Sequence, residues 1–136
     1  MKRILTATAI VLGTAGLAAA QMSAPIMSAA PSGKTVTKYY KQSVYDPAKD
    51  KIGSIDDVIV SDSGQVTGFM VGVGGFLGAG EKDVAVPFQD VNATTKNNKV
   101  HLVMNATKDG LKNAPGFKYD SSTTTWVRDK NSDTGK

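Results

Sequence analysis

"KIGSIDDVIVSDSGQVTGFMVGV", residues 51–73, decides the fold: two β-type runs are joined by Ser61-Asp62-Ser63-Gly64. Asp62 can bond its own backbone and Gly64 can take the positive φ of a tight turn, so the link predicts a hairpin with strands over about residues 52–61 and 65–73. Simple alternation fails in the first run. Ile55 and Ile59 share one parity while Val58 and Val60 share the other. A β-bulge around Asp56-Asp57, or a strand buried on both faces, accounts for that pattern.

Downstream, "VGVGGFLGAGEKDVAVPF" (residues 71–88) places glycines at 72, 74, 75, 78 and 80 and then returns to alternation. A dinucleotide fingerprint requires Gly-x-Gly-x-x-Gly opening a helix, but the sixth position counted from Gly72 is Leu77 and a strand follows. A P-loop fails too, because Gly80 is followed by Glu81-Lys82 and no helix N-terminus arrives to hold a phosphate. The run reads as a glycine-rich connection between two strands. In the strand after it, Val84, Val86 and Phe88 share one face and Asp83, Ala85 and Pro87 the other, with Pro87 suited to an edge or strand end.

"NATTKNNKVHLVM" (residues 92–104) gives a polar turn at residues 96–98 and a strand with Val100, Leu102 and Met104 inward and His101 and Val103 on the opposite face. One short helix follows, with Asn105 or Thr107 as N-cap and Pro115-Gly116 as terminator; Gly110 weakens it by about 1 kcal/mol relative to Ala, so it must lean on the sheet through Leu111. Residues 120–136 read as a polar, frayed C-terminal tail in which Trp126 alone is suited to dock.

At the other end, Lys2-Arg3, an uncharged stretch over residues 4–17 and Ala18-Ala19-Ala20 have the pattern of a secretory signal peptide, residues 1–20, cut between Ala20 and Gln21. The stretch is short and diluted by Thr6, Thr8, Gly13, Thr14 and Gly16, whereas a spanning helix wants about 20 apolar residues. Residues 21–35 are rich in Ser, Ala and Pro and read as a flexible linker, leaving residues 36–119 as the domain. Loss of residues 1–20 lowers the formal charge from +4 to +2, and no basic run with interleaved aromatics tracks a phosphate backbone, so nucleic acid is not an expected partner. With no cysteine, the expected periplasmic or secreted chain has neither disulfide nor thiol chemistry and must be held by a packed core.

Residues 40–91, "YKQSVYDPAKDKIGSIDDVIVSDSGQVTGFMVGVGGFLGAGEKDVAVPFQDV", resemble a PRC-barrel domain, the module shared by the photosynthetic reaction-centre H subunit and a ribosome maturation factor. "KIGSIDDVIV", the Asp-Ser-Gly hairpin, the glycine run and "KDVAVPF" carry the resemblance, which extends over about residues 39–104. It implies an all-β fold, a small, mostly antiparallel β-barrel, and a docking or assembly role without a common reaction. The two named members differ from the expected arrangement, the one by a full membrane helix before its barrel and the other by a second N-terminal domain, so neither specific function is expected to transfer.

Candidate chemistry is sparse. His101 is the sole histidine and, without cysteine, cannot make a usual transition-metal site; it reads as a surface strand residue. Asp46, Asp50, Asp56, Asp57 and Asp62 lack the spacing of an EF-hand loop and read as turn formers and solvated charges. No serine lies in a Gly-x-Ser-x-Gly elbow. Phe76 and Leu77, set among glycines, read as a plug over the barrel mouth or as an apolar partner contact. The expectation is a non-catalytic exported module, without cofactor or metal, that binds another protein or itself. Membrane contact is compatible with it, and the alternative is small-molecule or lipid binding at the barrel mouth.

Overall fold

A computed structural model describes residues 13, 16, 24–74 and 81–134. Residues 24–32 contain no helix or strand, and the folded unit is Gly33–Lys136. The signal-peptide pattern, like Phe76 and Leu77, lies outside the described residues.

The fold is mostly β. Strands β1 (Ser43–Tyr45), β2 (Lys51–Val60), β3 (Val66–Val73), β4 (Lys82–Pro87), β5 (Val91–Lys96), β6 (Lys99–Met104), β7 (Phe117–Asp120) and β8 (Thr125–Arg128) form one sheet, with helix α1 (Lys108–Asn113) between β6 and β7. The order is β5-β6-β1-β2-β3-β4-β7-β8. This corrects the expected closed, mostly antiparallel barrel: the sheet is mixed, because β1 runs parallel to β6, and open, because β5 and β8 end the order. Turn residues signal only chain-adjacent hairpins. The β1–β6 pairing joins residues more than fifty positions apart and leaves no local mark.

The β2–β3 hairpin forms as its turn chemistry dictates. Gly64 has φ +84°, its N–H donates to the Ser61 carbonyl at 2.8 Å, and the Ser61 N–H donates to the Gln65 carbonyl at 2.8 Å. The register pairs Ile55 with Val71 and Asp57 with Met70, leaving Asp56 as the extra residue of a bulge. That bulge explains the broken parity. It lets Ile55 and Val58, three residues apart, both turn toward the core, with Ile55 opposite Val71 and Val58 opposite Phe69. In the β5–β6 hairpin, Asn97 and Asn98 take φ +52° and +61°, the pair of left-handed residues that a two-residue turn needs.

Core side chains come from one face of the sheet: Val44, Ile55, Phe69, Val71, Val84, Val86, Leu102 and Met104 are all buried. Tyr39, Phe69 and Phe88 stack as a trio with centroids 5.1 to 5.7 Å apart, spacing suited to offset and tilted rings. Tyr39 is held there because Lys41 N–H donates to the Ile55 carbonyl and Ile55 N–H to that of Gln42, each at 2.9 Å. Helix α1 starts at Thr107, whose hydroxyl accepts the Gly110 N–H at 3.0 Å, and buries Leu111 in the core. Lys82 reaches its last turn, donating to the Lys112 carbonyl.

The expectation of a frayed tail is also corrected. Residues 125–128 form β8, paired with β7 from Phe117–Arg128 to Asp120–Thr125. A turn with Thr124 at φ +54° closes this hairpin, and Ser122 supports it by donating its hydroxyl and N–H to Asp120 Oδ1 at 2.6 and 2.9 Å. Five serines and threonines in a row, residues 121–125, hide the strand, since its order comes from pairing rather than from an apolar run.

At Gly64 an added Cβ would meet nothing within 4 Å, so substitution there acts through φ alone. Gly64→Val is expected to destabilise by more than about 1 kcal/mol and Gly64→Asn by clearly less, since Asn tolerates the left-handed region. Urea unfolding measures both; a neutral Val variant contradicts the turn geometry.

Candidate functional site

The face of β2–β4 away from the core is covered too. Met70 is only 2% exposed yet lies outside the core cluster, because it points to the opposite face with its register partners Asp57 and Ala85. The β7–β8 hairpin meets this face. Trp126 Nε1–H donates to Asp57 Oδ2 at 2.8 Å, while Asp57 Oδ1 accepts the Val58 N–H at 2.9 Å, so one carboxylate ties β8 to β2 across three intervening strands. The bulge at Asp56 makes this possible by turning Asp57 outward beside Met70. Tyr119, opposite Trp126 in the hairpin, packs edge-on at 5.7 Å. Between hairpin and sheet lies a groove of about 520 Å³, floored by Met70 and Ala85 and walled by Ile59, Val60, Tyr119 and Trp126.

A second cluster lies on the same face at the other end of β3. Gly72 pairs with Asp83 in β4, and the carboxylates of Asp56 and Glu81 fill the space that a Cβ at 72 would take. Burial, reinforced by the hydrogen bond to Asp56 and by the charges of Asp56 and Glu81, pushes the Asp83 carboxyl up to about 7. Lys41, 3.7 Å from Asp56 Oδ1, opposes the shift. Asp83 Oδ1 is buried without a hydrogen-bond partner among the described residues, which fits a carboxyl held in its neutral form.

The residues singled out in the sequence scatter. Asp46 is a turn former, accepting the Asp50 N–H at 2.9 Å. Asp56 and Asp57, read as turn formers or solvated charges, are instead packed against Asp83 and Trp126. His101 is half-buried in β6, 6.5 Å from the Tyr45 ring and far along the sheet from both clusters. Among the described residues no three His, Cys, Asp or Glu side chains are arranged to hold a metal ion. Tyr119, Val60 and Met70 carry no functional signal in the sequence. The broken parity at Asp56-Asp57 is the one mark that pointed to this face.

The raised Asp83 pKa gives a pH dependence of definite sign. From pH about 4 to about 7 the unfolded chain has released this proton while the folded chain retains it, so stability falls as pH rises through that window and levels off above it. Asp83→Asn, which mimics the protonated acid, is expected to match the parent at pH 4, to be more stable at pH 8 and to flatten the decline between. Thermal unfolding across pH measures it; parallel profiles contradict the raised Asp83 pKa.

Comparison with curated proteins gave no match. The family model described as PRC-barrel domain matches residues 33–110, a span that holds β1 to β6 and the start of α1 and leaves out the β7–β8 hairpin. With more than half of its length matched, the chain belongs to the PRC-barrel family.

Proposed function

We propose that the protein is a non-catalytic docking module of an exported protein, and that its partner is a protein segment laid along β8 over the Trp126 groove. The groove itself carries the reading. Its walls expose Val60 and Tyr119 to 54% and 50%, and Val66 at the adjoining hairpin base to 36%, although each is large and apolar. Aromatic side chains beside a partly filled apolar floor are the residue types that anchor protein interfaces. β8 ends the sheet order, so its outer edge is available to an added strand. Export rests on the Lys2-Arg3, apolar-run and Ala-Ala-Ala pattern at the N-terminus. Membership of a family without a common reaction agrees with a binding role.

A photo-crosslinking amino acid placed at Tyr119 in living cells tests this, with Asp109 on the exposed side of α1 as control site. The expected result is one discrete protein adduct from position 119, absent from position 109 and abolished by Val60→Ser, with the captured chain beginning at Gln21. No adduct, equal adducts at both sites, or an adduct that survives Val60→Ser overturns the docking surface. A captured chain beginning at Met1 overturns cleavage.

A further inference from the structure

We propose a second binding site, separate from the Trp126 groove, for a small anion with a planar apolar body. It lies where the β1–β2 turn faces the β5–β6 hairpin, as a cavity of about 450 Å³. That volume is in the range of small-ligand pockets.

Three side chains of one sheet face make its floor. Tyr45 pairs with Val103 across the parallel β1–β6 ladder, and His101 shares that face two residues earlier on β6. The Tyr45 and His101 rings are inclined by 55° with centroids 6.5 Å apart, too splayed to close on each other. Each leaves part of a π-face to the cavity, and Pro47 adds an apolar wall.

The rim is cationic. Lys49 sits at φ +72° in a turn fixed by three hydrogen bonds: Asp46 N–H to the Asp50 carbonyl at 2.9 Å, Lys49 N–H to the Asp46 carbonyl at 3.0 Å and Asp50 N–H to Asp46 Oδ1 at 2.9 Å. These bonds fix the backbone of Lys49 at the cavity rim. Lys96 lines the opposite side from the end of β5. Neither ammonium has a salt-bridge partner among the described residues, where the ion pair present is Lys41–Asp56. On the same face Lys51 pairs with Tyr45 and Lys99 with Lys96, adding positive charge at both ends. Asp46 is the acidic side chain in the lining, and its Oδ1 is occupied by the turn. An aromatic floor between two unpaired lysines complements a flat anion: the body stacks on Tyr45 and His101 while the charged group meets Lys49 and Lys96.

The test is an amide NMR titration of the intact chain with 2-naphthoate and, separately, with neutral 2-naphthamide. Saturable shifts confined to residues 45–51, 94–96 and 101–103 are expected with 2-naphthoate. Binding should weaken about tenfold in Lys49→Ala/Lys96→Ala, a change of exposed side chains that leaves the spectrum otherwise intact, and by a similar factor for the amide. Rising salt should erode the difference between the two probes. Shifts that do not saturate, that centre on Tyr119 and Trp126, or that are equal for both probes and for the double variant overturn the site.

Discussion

Burial of β3 on both faces is the constraint from which the rest of the molecule follows. From Gly68 to Val73 every residue of this strand is buried. Its neighbours pair along most of it, β2 from Val66 to Gly72 and β4 from Gly68 to Val73, and among the described residues no other strand is flanked by two such long partners. A strand in that position must have a cover on each side, and the two covers are built from different physics.

On one side the cover is a core. Phe69, Val71 and Val73 meet side chains of β1, β4, β6 and α1, and the aromatic trio with Tyr39 and Phe88 closes one end. Removing area of this kind from water is worth about 25 cal/mol per Å², which makes this face the main source of stability. The second side is narrow and partly polar. Met70 is covered by a hairpin that touches β4 through one residue pair, Asp83–Phe117, and β2 through the Trp126–Asp57 hydrogen bond. A charged acceptor makes that bond worth about 1.5–3 kcal/mol, enough to seat a hairpin of two four-residue strands but not to make it part of the core. The carboxyl cluster around Gly72 works in the opposite sense: burial of Asp83 beside Asp56 and Glu81 costs stability above neutrality.

Local chemistry explains what was legible in the sequence. The Ser61–Gly64 turn, the Lys96–Asn98 turn, the Thr107 cap and the alternation of Val84 and Val86 each act over a few residues, and each is found where residue type alone puts it. The family resemblance, carried by the same segment, holds. What stayed hidden is long-range. The parallel β1–β6 pair, the open edges and the β7–β8 hairpin depend on partners far along the chain, and Trp126 could be seen as a docking side chain but not as a donor to Asp57. The parity break at Asp56-Asp57 was readable as a bulge; its consequence, an aspartate aimed at a tryptophan sixty-nine residues away, was not. The Asp56 carboxyl read as a turn former or solvated charge because only the register of β2, β3 and β4 brings it to Asp83.

Native-state hydrogen exchange resolved by residue tests the two-sided burial of β3 most directly. Amides of Met70, Val71 and Val73 should exchange only through global unfolding and be the slowest in the protein, while those of Tyr119, Trp126 and Val127 should exchange through a cheaper local opening of the hairpin. In Asp57→Asn, where the neutral acceptor is weaker, the hairpin amides should speed up with little change in β3 beyond Met70. If β3 exchanges no more slowly than β8, or if both always open together, the strand is not the separately buried centre on which this account rests.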